Sequence, residues 1–139
     1  MTNNRLTLTF SNNIEEAPRM ARRIERFLHE NKISESIINK LLLCVDELIT
    51  NIIGHAYTDE QEHAVSLECR LFDNHIELEL RDDGIPFDPT LQTRPNVIKS
   101  VEDREVGGLG IHLVSTLMDK VEYIREGDYN VLKTVKVID

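Results

Sequence analysis

Glu47 and Asn51 lie four residues apart inside the apolar run Leu41-Leu42-Leu43-Cys44-Val45-Asp46-Glu47-Leu48-Ile49-Thr50-Asn51-Ile52-Ile53. In a helix that separation is close to one turn, so the carboxylate and the carboxamide share a face. Such a pair can offer oxygens to a magnesium ion, which takes a few protein oxygens alongside waters and phosphates. Glu47 can instead accept a proton from a hydroxyl or water attacking a phosphate. The plain alternative is a solvated outer face opposite the stripe of Ile38, Leu41, Leu42, Val45, Leu48, Ile49, Ile52 and Ile53. Asp46 and Thr50, the neighbouring i, i+4 pair, are assigned to packing or surface, and His55 to a structural role at the helix end.

Two further places could carry chemistry. Ile76, Leu78 and Leu80 alternate with Glu77, Glu79 and Arg81, and one more step of the alternation turns Asp82 inward and Asp83 outward. A carboxylate on a buried face must find hydrogen-bond donors or remain costly to ionise. Otherwise the strand ends one residue earlier and Asp82 caps the turn at Gly84. Gly107, Gly108 and Gly110 flank Leu109 just before a helical pattern, and they are half of the chain's 6 glycines. Backbone N–H groups at a glycine-rich helix start suit a phosphate, although a simple hinge has the same composition.

These residues need elements to position them. Arg5-Leu6-Thr7-Leu8-Thr9-Phe10 alternates as a strand with one buried side. A first helix is expected from near Glu15, with Pro18 tolerated in its first turn, to Glu30. Ser34 can cap a second helix from about Glu35 to Ile53. A hairpin turning at Asp73-Asn74 follows, then a loop from Gly84 to Val106 of about twenty residues, the length of a lid or binding loop. A third helix passes through Ile111, Val114, Leu117 and Met118, and strands near Val121-Arg125 and Val131-Val137 turn at Gly127-Asp128. This order predicts one domain over residues 1–139: a two-layer α/β sandwich, with three helices covering one face of a mixed, mainly antiparallel sheet of about five strands.

Composition narrows the function. With 16 Lys+Arg against 25 Asp+Glu, a net charge of −9 and no clustering of basic residues, a phosphate backbone is repelled, so no nucleic-acid partner is expected. No segment has the length of a membrane span or the apolar core of a signal peptide. Cys44 and Cys69 read as buried thiols of a reducing compartment, and a cytoplasmic protein without a membrane partner is expected.

Taken together, the carboxylate–carboxamide pair, the inward acid and the glycines are complementary parts of a nucleotide site, and in this order the chain resembles the GHKL (Bergerat-fold) ATPases. Glu47 to Tyr57 is similar to the family's N-box, Asp82-Asp83-Gly84-Ile85-Pro86-Phe87-Asp88-Pro89 to its first glycine box in the DxGxPFDP form, and Val106 to Ile111 to its second. Pro86 stands where other branches have a second glycine, as in the short anti-sigma-factor serine/threonine-protein kinases and unlike the sensor histidine kinases. The resemblance implies ATP and Mg²⁺ as cofactors, with Asn51 as the metal ligand and Glu47 as the general base. Asp82 would accept from the adenine amino group, and Gly84 would let the backbone pass close to the base. Gly107, Gly108, Leu109 and Gly110 would lie at the phosphates, with Gly108 and Gly110 presenting backbone donors. An ATP lid would span about residues 87–106, with Arg104 at the γ-phosphate and Thr134 adding a contact near adenine. The implied function is a partner-switching kinase and anti-sigma factor that phosphorylates a STAS-domain antagonist and holds a sigma factor, as a homodimer. The alternative is an ATP-binding module that sequesters its partner without phosphoryl transfer.

Overall fold

The computed structural model describes residues 4–57, 59, 61–91 and 108–138. In chain order it contains β1 (Arg5–Ser11), α1 (Glu16–Glu30), α2 (Glu35–His55), β2 (Ala64–Leu71), β3 (His75–Asp82), a 3₁₀ turn at Pro89–Leu91, α3 (Gly108–Leu117), β4 (Lys120–Glu126) and β5 (Tyr129–Val137). The sheet order is β1-β2-β3-β5-β4, and each pairing is antiparallel, so the mixed character expected of the sheet is not seen.

Alternation decides which face the helices cover. Leu8 and Phe10 of β1, Val65, Leu67 and Cys69 of β2, and Ile76, Leu78 and Leu80 of β3 are buried in one core with Met20, Ile24 and Leu28 of α1 and Leu41, Leu48 and Ile49 of α2. On the opposite face charges pair across strands: Glu77 meets Lys133 at 3.1 Å and Arg70 at 3.4 Å, and Arg5 meets Glu68 at 3.1 Å. Cys44 and Cys69 are free and buried, and burial pushes their thiols up to about 11 and about 12, which leaves both protonated and unreactive at neutral pH.

Helix boundaries follow from local chemistry. Pro18 sits in the first turn of α1, where its missing N–H costs nothing, and the helix stops where Lys32 takes a left-handed φ of 59° and the Ile33 amide closes on Leu28 O at 3.1 Å. Ser34 Oγ accepts from the Ile37 amide at 3.4 Å to start α2. That helix runs to His55, two residues past the expected end at Ile53, despite Gly54. Its continuation has a tertiary anchor: the Ala56 amide donates to Ile52 O at 2.9 Å, while the Ala56 carbonyl accepts from the Ile85 amide at 2.7 Å. The 3₁₀ turn at Pro89–Leu91 replaces part of the irregular loop expected after Gly84, with the Asp88 carboxylate accepting from the Thr90 amide at 2.9 Å. No helix among the described residues is long and apolar enough to cross a membrane.

Candidate nucleotide-binding site

β3 does not stop before Asp82. The residue pairs with Val65 on one side and Asn130 on the other, and it is 4% exposed on the helix-covered face. Its Oδ1 accepts from the Gly84 amide and from Asn130 Nδ2, each at 2.9 Å. Burial pushes the carboxyl's pKa up, and those two hydrogen bonds oppose the shift. The inward reading of Asp82 therefore holds, but the protein itself already supplies donors to one carboxylate oxygen. Asp83 points outward, where it accepts from the Tyr57 hydroxyl at 3.2 Å and faces His63 Nδ1 at 3.3 Å.

Asn51 lies across the cleft from this carboxylate. It is 3% exposed, and neither Oδ1 nor Nδ2 has a hydrogen-bond partner among the described residues. A buried carboxamide without partners costs roughly 1–3 kcal/mol per group, which a bound ion, a ligand or a water would recover. The cleft is lined by Leu48, Asn51, Ile52 and Ala56 of α2 and its cap, by Asp82, Phe87 and Pro89, and by Tyr123, Asn130 and Leu132 of β4 and β5. Its walls are mainly apolar, with a few polar groups at fixed places.

The other expected residues fall at different distances from this cleft. Glu47 is partly exposed one turn before Asn51 and is not among the residues lining it; burial, then the Asp46 charge, raises its carboxyl's pKa. Thr134 is fully buried on the inward face of β5, with Oγ1 unpartnered among the described residues, and it is not among the residues lining the cleft. Gly108, Leu109 and Gly110 form the first turn of α3, where backbone N–H groups lack intrahelical acceptors. Arg104, Gly107 and the lid beyond Leu91 lie outside the described residues. Gly84 has a protein-based reason to be glycine: a Cβ there would stand 2.2 Å from the Ala56 carbonyl oxygen.

Asn130 is the residue that sequence reasoning missed. It is 4% exposed opposite Asp82, and Arg125, which donates to the Gly84 carbonyl at 2.8 Å, also reaches it. The signal that finds it is the parity already applied to β3, since Asn130, Leu132 and Thr134 share the inward face of β5. Starting the strand at Val131 left Asn130 outside the pattern.

The described residues fit a magnesium–nucleotide pair. Asn51 provides a hard amide oxygen, buried and without a partner among the described residues, beside an apolar cleft that ends at an acceptor carboxylate. Among the described residues no group of three or more His, Cys, Asp or Glu could hold a metal.

Comparison with known proteins identifies a matching domain family. Residues 10–136 match the model of the histidine kinase-like ATPase domain. The chain is 30% identical over 122 residues to the anti-sigma F factor of Oceanobacillus iheyensis, covering 87% of this chain and 83% of that protein. It is 33% identical over 90 residues to the serine/threonine-protein kinase BtrW of Bordetella bronchiseptica, covering 65% of this chain and 63% of the relative. It is 35% identical over 101 residues to the serine-protein kinase RsbW of Listeria innocua, covering 68% of this chain and 63% of the relative. The matched stretch thus spans just under two thirds of the length of both kinases. Among solved structures, the RsbU and RsbW domains of a Mycobacterium tuberculosis protein superpose with a TM-score of 0.68 at 14% identity, over 97% of this chain and 33% of that one. The Acinetobacter baumannii histidine kinase AdeS superposes with a TM-score of 0.52 at 11% identity, over 95% of this chain and 68% of that one.

Proposed function

Since the chain belongs to the histidine kinase-like ATPase domain family, we propose that it binds Mg²⁺-ATP in the Asn51–Asp82 cleft and transfers the γ-phosphate to a serine or threonine of a protein partner. The observation that carries this is the buried Asn51 carboxamide, without a hydrogen-bond partner among the described residues, facing the same cleft as Asp82. Asp82 accepts from the adenine amino group, and Leu48, Ile52, Ala56 and Leu132 provide the apolar walls for the base. Asn51 Oδ1 holds the magnesium ion, which when bound neutralises charge on the phosphates. The first turn of α3, with Gly108, Leu109 and Gly110, lies at the phosphates, and Gly107 and Arg104 precede it.

Glu47 is the general base. The partner's hydroxyl oxygen bonds to the γ-phosphorus as the bond to the β,γ-bridging oxygen breaks, and Glu47 takes the hydroxyl proton while ADP leaves. Its raised pKa makes it a stronger base than an exposed glutamate. Its place outside the base cleft matches a role at the far, phosphate end of the nucleotide.

Two curated relatives are named as serine or serine/threonine kinases and a third as an anti-sigma F factor. Those names support a protein substrate and a sigma-factor partner; the resemblance of the three boxes to the short anti-sigma-factor kinases adds a STAS-domain antagonist as the substrate, a homodimer and a cytoplasmic setting. Incubation with γ-labelled ATP, Mg²⁺ and the STAS protein encoded nearest to this gene tests the assignment. Phosphoserine or phosphothreonine on that partner is expected. Saturable ATP binding without labelled partner would reduce the protein to a non-catalytic regulatory module.

A further inference from the structure

Asn130 makes more contacts with the first glycine box than a strand residue needs. Nδ2 donates to Asp82 Oδ1 at 2.9 Å and to the Ile85 carbonyl at 2.8 Å, so both amide protons are used. Oδ1 accepts from the Phe87 amide at 3.2 Å, from Arg125 Nη1 at 3.3 Å and from the Tyr123 hydroxyl. One buried side chain thus grips three points of segment 82–87, which carries Asp82 to the cleft. A carboxylate's last torsion is soft and roughly two-fold; the Gly84 amide holds Asp82 Oδ1 from one side, and Asn130 adds the second donor that fixes its direction. The N–H donated by Asn130 also keeps Asp82 Oδ1 in use purely as an acceptor.

We propose that Asn130 is a positioning residue for purine selection: by pinning Asp82 Oδ1 it aims the other carboxylate oxygen at the amino group of a 6-aminopurine. This rests on the reading of the cleft as an ATP site. A 6-keto purine would bring an oxygen against that carboxylate, and a purine without a 6-substituent would leave it unpaired; a carboxylate held in place cannot swing aside to relieve either mismatch.

The test is a ratio of affinities, measured on the full chain with Mg²⁺, for ATP and for purine riboside triphosphate, which lacks the 6-amino group. Partial unfolding of a variant weakens both nucleotides alike and leaves the ratio unchanged. The unmodified chain is expected to prefer ATP by about tenfold or more, the value of one hydrogen bond to a charged acceptor. Asn130→Ala is expected to bring the ratio several-fold closer to one. Arg125→Met, which removes one donor to Asn130 Oδ1 but keeps the amide, is expected to fall between, and it decides the matter should Asn130→Ala not fold. Folded variants that discriminate as well as the unmodified chain would overturn the role of Asn130 alone. An unmodified chain that binds both nucleotides equally would overturn the assignment of Asp82 to the base as well.

Discussion

The Asn51 carboxamide and the Asp82 carboxylate are both nearly fully buried, but they are satisfied in opposite ways. Asp82 has two donors on Oδ1, whereas Asn51 has no partner among the described residues. Glu47 differs from both in being partly exposed. Its replacement by Gln is therefore expected to leave Mg²⁺-ATP affinity within a few-fold while slowing phosphoryl transfer by roughly 10²–10⁴, the usual contribution of a general base. Single-turnover transfer beside calorimetry on the same preparation checks both halves. Asp82→Asn is expected to weaken ATP binding by about tenfold or more, because a carboxamide that presents NH₂ to the adenine amino group places donor against donor. At this scale the sequence was informative wherever parity applied. Asp82 was legible because β3 alternates cleanly up to it, while Asn130 was lost because strand ends are set by pairing partners and not by their own residues. The unpartnered state of Asn51 had no sequence signal, since it depends on which groups α2, β3 and β5 bring near it.

Among the elements, α2 and the segment after β3 hold each other in place. The Ala56 carbonyl accepts from the Ile85 amide, and Gly84 packs against it so closely that no side chain fits. Gly84→Ala is expected to cost roughly 1–3 kcal/mol of stability, typical of overpacking, and to weaken nucleotide binding through displacement of Asp82; denaturant unfolding and ATP titration measure the two effects. A second link lies nearby, where His63 stacks on Tyr57 with ring centroids 4.2 Å apart and faces Asp59 at 2.7 Å and Asp83 at 3.3 Å. The hydrogen bond to Asp59 raises the His63 pKa above its usual 6.5, with further support from the Asp59 and Asp83 charges. A raised histidine stabilises the fold fully below its unfolded pKa and loses that contribution as pH rises through the folded value. His63→Gln is therefore expected to destabilise the protein at pH 5.5–6 more than at pH 8.5–9, read from paired unfolding curves; a pH-independent difference would contradict the ion pairs. Helix and hairpin periodicity placed all three helices and five strands within a few residues. What periodicity could not show was the extension of α2 to His55, because it depends on a hydrogen bond to a residue far along the chain.

At the scale of the molecule, three helices among the described residues bury one face of a five-stranded antiparallel sheet, and the cleft opens where α2, the end of β3 and β5 converge. The layer architecture was legible from the order of elements alone. The insertion of β5 between β3 and β4 was not, because hairpin signals identify sequence neighbours and not the strand that the second arm meets next. A ligand that binds only the folded state stabilises it by about 2.7 kcal/mol at 100 times its Kd, so Mg²⁺-ATP is expected to raise the melting temperature of this chain by several degrees. The central claim is that Asn51 serves the magnesium ion of a nucleotide whose base lies against Asp82. Calorimetric titration of ATP into the chain and into Asn51→Ala, each with Mg²⁺ and with EDTA, tests it most directly. Saturable binding that Mg²⁺ strengthens in the unmodified chain, with that strengthening lost in Asn51→Ala, is the predicted result. No saturable heat at millimolar nucleotide, or an equal Mg²⁺ effect in both proteins, would contradict it.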